Sequence, residues 1–180
     1  PYDFAQSGLE LGLLQELLKS SAFQGSNLEV YYNGARHLTE FRIDCFRQVG
    51  GQGQGQVPRW QKLGAYTPDF VMLQRVANAN ANATATATAT ATASLGEGRG
   101  AVHKVLIIEA KGTGFAEQSA YTLRKQFVGS EFLRLNNAKF GYARFDFVEV
   151  PEPANKDYRS AAQQLLSHAL KFFESLPVEP

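Results

Sequence analysis

Cysteine, methionine and tryptophan occur once each in these 180 residues. A single cysteine allows no intrachain disulfide and no zinc cluster built on thiolates. Cys45 stands in the apolar alternation Phe41, Ile43, Cys45, where a buried thiol is expected. An intracellular setting, cytoplasmic or nucleoid-associated if the source is bacterial, fits this usage. Net charge is almost lacking as well: 18 Lys and Arg stand against 17 Asp and Glu, leaving +1. No general positive field therefore points to nucleic acid, and any such surface must be local. There is no basic-then-apolar leader and no apolar run of about 18 residues, which speaks against secretion and membrane spanning. What is present, 44% hydrophobic and 19% charged residues, suits one α/β domain over 1–180 with a real core.

Two tracts break the patterning. A Gly-Gln repeat marks an insertion at about 50–57, and a second at about 77–100 alternates alanine with asparagine and then threonine before a glycine-rich exit. Neither carries large apolar side chains to offset ordering entropy, so both are expected as hairpin-tip insertions, mobile or lying on the surface, with a long surface ribbon as the alternative if 77–94 is ordered. Around them, 7–19 reads as an amphipathic helix, with Ser7 and Glu10 spaced as a capping box. Extended segments follow at 27–32 and 39–49, joined through the hairpin signal Asn33-Gly34. Strands beginning at Tyr66 and at Lys104, a helix over 116–135, a strand over 142–150 and a helix over 156–176 complete the chain. Tyr121, Phe127, Phe132 and Leu135 supply bulk at roughly helical spacing on the helix over 116–135. The alternation predicts a mixed central β-sheet flanked by helices.

The chemistry gathers on two of these strands. Asp69 precedes the apolar run from Phe70, and Glu109 and Lys111 follow the run Val105 to Ile108. Two residues apart in a strand, Glu109 and Lys111 share a face while Ala110 turns away. If the strand of Asp69 is adjacent, the two carboxylates can hold one or two hard cations through oxygen. Such a cation activates water and polarises a phosphoryl oxygen, and Lys111 can orient the water or offset charge on the phosphate. His37, His103 and His168 have no ligand spacing with one another or with Cys45, and no metal role falls to them.

Pro68-Asp69 followed by Glu109-Ala110-Lys111, in this order of elements, resembles the PD-(D/E)XK nuclease superfamily. The flanks Tyr66-Thr67-Pro68-Asp69-Phe70 and Ile108-Glu109-Ala110-Lys111-Gly112 look most like the nuclease modules of type III restriction enzymes and related restriction or transposition endonucleases. The resemblance covers roughly 150 residues, and its motifs are short and degenerate. It implies a restriction-endonuclease-like α/β core and a Mg2+-dependent deoxyribonuclease, an endonuclease by kind, with Mn2+ as a substitute. It implies that Asp69 and Glu109 are catalytic metal ligands, that the Ala110 carbonyl coordinates too, and that Lys111 is catalytic. Glu10 matches the acid on the first helix of that superfamily, with Glu16 as its competitor. The long gap from Asp69 to Glu109 departs from the pattern unless a hairpin tip absorbs it.

DNA is the partner so implied, within a helicase, restriction or transposition complex or as a homodimer. Lys125 and Arg124 are the candidate phosphate contacts, and Tyr31, Tyr32, Trp60 and Tyr66 are candidates for stacking on unpaired bases. The alternative reading is a catalytically silent nuclease-like module that binds nucleic acid or serves assembly of a larger complex. The near-zero net charge motivates it, because substrate delivery would then belong to a neighbouring part.

Overall fold

The computed structural model describes residues 8–34, 41–51, 57–76, 100–111 and 119–174. In chain order the elements are α1 Gly8–Lys19, α2 Ser21–Gln24, β1 Leu28–Tyr32, β2 Ile43–Val49, β3 Arg59–Tyr66, β4 Phe70–Val76, β5 Ala101–Lys111, α3 Ser119–Phe127, α4 Leu133–Phe140, β6 Phe145–Pro151 and α5 Tyr158–Glu174. A π-helical turn, Val128–Phe132, joins α3 to α4. Residues 52–56 and 77–99, which hold most of both low-complexity tracts, and Ser7 lie outside the described residues.

Four strands form a mixed sheet in the order β1-β4-β5-β6. The first two junctions are antiparallel and β5-β6 is parallel. β5 is central, and Val105 to Ile108 are all buried because both sheet faces are covered. Successive residues feed opposite layers. Leu106 and Ile108 pack with Leu13 and Leu17 of α1 and with Leu165, Leu166 and Ala169 of α5. Val105 and Ile107 pack with Ile43, Cys45, Tyr66 and Val128 on the other side. Each fully buried aliphatic side chain contributes about 1.5–3 kcal/mol from burial. The expected α/β architecture of a mixed sheet flanked by helices is thus what the chain adopts. α1 and α5 approach so closely that a Cβ on Gly12 would sit 2.3 Å from the ring of Tyr158.

β2 and β3 form a separate antiparallel ribbon, with a bulge between Cys45 and Phe46. This differs from the hairpin expected at Asn33-Gly34, since β1 pairs with β4 and β2 with β3. Asn33 is instead a buried clasp. Its Nδ2 donates to the carbonyls of Phe41 (2.8 Å) and Pro68 (3.0 Å), and its Oδ1 accepts from the Phe41 amide (3.0 Å). Its side chain satisfies backbone groups that a tight turn would have paired. The helix expected to reach Leu135 runs on to Phe140, where Gly141 takes a left-handed conformation (φ 74°) and ends it. Of its bulky side chains, Tyr121, Phe127 and Phe132 pack against the core, and Leu135 is half-exposed. No helix among the described residues is long and apolar enough to cross a membrane.

Candidate functional site

Asp69, just before β4, and Glu109, near the end of β5, do converge. The Asp69 Oδ2 accepts from the Ala110 amide at 2.7 Å, and the Asp69 carbonyl accepts from the Asn33 amide at 2.7 Å. Both oxygens of Glu109 are engaged by phenols: Oε2 accepts from Tyr66 at 2.5 Å, and Oε1 accepts from Tyr121 of α3. Glu10, on α1, accepts from the Tyr32 hydroxyl at 2.7 Å. Lys111 lies 4.0 Å from Glu149 of β6, which also holds Lys125 at 2.6 Å. Glu149 stands directly across from Glu109 in the β5-β6 register.

Burial pushes the Asp69 carboxyl up to about 7, with the charge of Glu10 adding to the rise and the Ala110 amide opposing it. Burial likewise pushes Glu109 up to about 8, the neighbouring Asp69 charge adding and the Tyr66 hydrogen bond opposing. The Tyr66 phenol is raised in turn by its burial and by Glu109. Both carboxyls therefore hold on to protons well above the ordinary carboxylate range. Hard-cation sites need ionised oxygens facing a common point, usually six or more of them counting water.

These acids are instead tied to separate donors, and no group of three or more His, Cys, Asp or Glu able to hold a metal ion forms among the described residues. This finding overturns the metal-dependent nuclease expectation. The Mg2+-dependent deoxyribonuclease, its endonuclease action and the Mg2+ or Mn2+ cofactor fall with it. The sequence reading missed Glu149 and Tyr121. Glu149 was recoverable in part, because its alternation within β6 sets it on a parallel neighbour of β5. In the sequence Tyr121 is one of several bulky residues at helical spacing, and nothing local to a helix announces a phenol turned toward a sheet acid.

Of the two candidate phosphate contacts, Lys125 is ion-paired with Glu149, and the Arg124 Nη1 donates to the Ala65 carbonyl at 3.1 Å. Ala65 follows Gly64, whose positive φ (109°) is a backbone conformation that glycine adopts readily. Tyr66 is buried in the core, and Tyr32 is bound to Glu10.

Exposed cations gather elsewhere. Arg42 precedes β2, Arg47 lies on it, and Arg59 and Lys62 lie on β3; all four are exposed. Asp44, which pairs with Lys62 at 3.0 Å, is the one acid within the two strands. Beside the ribbon a cavity of about 470 Å³ is lined by Phe41, Ile43, Phe46, Phe127, Phe132 and Phe145 among others.

Compared with family models, with curated proteins and with solved structures, the chain matches none.

Proposed function

We propose that this chain is a nucleic-acid-binding module, built on a restriction-endonuclease-like scaffold, that does not hydrolyse phosphodiester bonds. The observation that carries the reading is the separation of charge. From Arg42 to Lys62 four cations face one carboxylate, net +3, in a chain whose total is +1. The remaining residues therefore sum to −2, and the exposed cations of the β2-β3 ribbon attract a polyanion locally. The buried acid pair then has a structural role, fixing the ends of β4 and β5 through Ala110, Tyr66 and Tyr121.

Titration of DNA at several salt concentrations tests this. Binding should weaken as salt rises, and a variant with Arg47, Arg59 and Lys62 all changed to Ala should show a salt slope shallower by about 2 to 3. Absence of binding at low salt, or a triple variant that binds as well as the parent, refutes it. So does cleavage of DNA in magnesium or manganese.

Assembly is a second reading, favoured by one distinct observation. Leu135 and Phe140 of α4 are 45% and 41% exposed, and Leu135 borders the aromatic cavity. Contiguous exposed apolar surface is what contact faces present, and Leu135 beside the aromatic lining is the candidate here. Sedimentation of the chain against Leu135→Asp tests association of two copies, and a mass that stays monomeric over a wide concentration range removes it.

A further inference from the structure

We infer that the β2-β3 ribbon takes single-stranded nucleic acid, with one unpaired base stacked on the indole of Trp60. The inference rests on the nucleic-acid-binding reading and deepens it.

The cross-strand register places Trp60 opposite Gln48 and Lys62 opposite Phe46. Residues paired across a ribbon share a face, and so do residues two apart, so Trp60, Gln48, Lys62 and Phe46 lie on one side. Arg59, Gln61 and Arg47 lie on the other, where the Arg47 Nε donates to the Gln61 Oε1 at 2.8 Å. Phe46 is partly buried and makes an edge contact with Phe127, 6.3 Å between centroids. Its ring therefore serves the interior. Trp60 lies two pairs farther out, the next position on that face, and is 53% exposed. Arg59, Gln61 and Lys62 beside it are exposed too, so this end of the ribbon has solvent on both sides.

A half-exposed indole forfeits part of its burial free energy, and here it does so on a ribbon whose exposed cations Arg47, Arg59 and Lys62 face one carboxylate, Asp44. That combination fits a base-stacking platform, because every base has a π face and the cations beside it meet the backbone. Lys62 is two residues from Trp60, about 7 Å along the strand, close to one nucleotide step of an extended strand. A duplex fits this face less well. Its bases already stack on one another and present only their edges in the grooves, so a flat indole gains nothing there. An acidic peptide would meet the same cations, but it brings no π face at each step for the indole.

Trp60 is the chain's one tryptophan, so its fluorescence reports on this site alone. The full chain is titrated at low salt with oligo(dT) and with a blunt duplex of equal phosphate count. Binding is followed both by tryptophan emission and by anisotropy of a labelled oligonucleotide. Oligo(dT) should quench the emission saturably, and the duplex should quench it much less. By anisotropy, Trp60→Ala should bind oligo(dT) roughly 5- to 150-fold more weakly, while Trp60→Phe keeps most of the affinity. Unchanged circular dichroism in both variants shows that the fold is intact.

If DNA binds in a salt-dependent way while emission and the Trp60→Ala affinity stay unchanged, the stacking inference fails and the broader reading stands. Equal or stronger quenching by the duplex overturns the single-strand assignment. Quenching that depends on protein concentration without nucleic acid shows a second copy on this face and also overturns it. If neither nucleic acid binds, both readings fall together.

Discussion

Replacing Glu109 with glutamine keeps the side chain's shape and removes its charge, and the buried acid pair makes the consequence depend on pH. In the folded chain Glu109 is moved from 4.5 up to about 8, and Asp69 from 3.8 up to about 7. Both shifts are upward, so from about pH 4 to pH 8 the folded state holds more protons than the unfolded state. The stability these acids allow is fully present below the ordinary carboxylate range and is lost as pH rises through the folded values. At about 1.4 kcal/mol per pKa unit, and allowing for the mutual coupling of the pair, the loss between pH 5 and pH 8.5 is on the order of 5 kcal/mol.

Total stability of a domain is commonly about 5–15 kcal/mol, so the effect is large enough to see. Glu109→Gln should be within about 1 kcal/mol of the parent at pH 5, where the parent's Glu109 is protonated and has nearly the same shape. At pH 8.5 the variant should be more stable by roughly 3 kcal/mol, since it avoids the charge on Glu109 and removes the repulsion felt by Asp69. Urea unfolding followed by circular dichroism at pH 5, 6, 7 and 8.5 measures both curves. A parent whose stability is flat or rising across this window refutes the reasoning, and so does a variant that falls as steeply as the parent.

Three further outcomes are open to the same denaturation assay. Glycine to alanine inside a helix normally gains up to about 1 kcal/mol, but Gly12→Ala should lose about 1–3 kcal/mol through overpacking against Tyr158. Combining it with Tyr158→Ala should leave the pair less destabilised than the sum of the two changes. Leu106→Ala, at a position with 0% exposure between β5 and the α1/α5 layer, should cost about 3–5 kcal/mol; a loss below 1 kcal/mol would mean that this layer is not closely packed. Asn33→Ala should cost about 1–3 kcal/mol by stranding the Phe41 amide and the carbonyls it now serves, and a neutral result would show that water replaces the clasp.

Periodicity made the layers legible. The run Val105 to Ile108 could be read as a strand covered on both faces, and the α5 stripe of Ala162, Leu165, Leu166, Ala169 and Phe173 is buried. β3 escaped because its outer half, Arg59 to Lys62, is exposed on both sides and so has no apolar alternation to detect. Asn33-Gly34 misled because asparagine favours a tight turn and a side-chain clasp for the same reason, a short amide that bonds to nearby backbone. At the site, strand position alone was enough to bring Asp69 and Glu109 together. Burial was not legible, and neither was the identity of the groups meeting each carboxylate oxygen. Those depend on Tyr121 of a following helix and on a parallel strand carrying Glu149, and they separate a cation site from a pair of buried acids each tied to its own hydrogen-bond donors.

The wide turn between α3 and α4 sets the shape of the aromatic cavity. On an ordinary α-helix Phe127 and Phe132, five residues apart, would point about 140° away from each other. Across Val128–Phe132 the i to i+5 winding brings them to the same side, and both line the hollow next to β2. The hollow is thus the imprint of one surplus residue in a helix. Deleting a single residue from this stretch would restore regular winding, swing everything beyond it by about 100°, and carry one wall of the hollow away, although no side chain lining it had been exchanged. Among related chains, a one-residue gap at this point would mark those without the hollow more surely than any substitution.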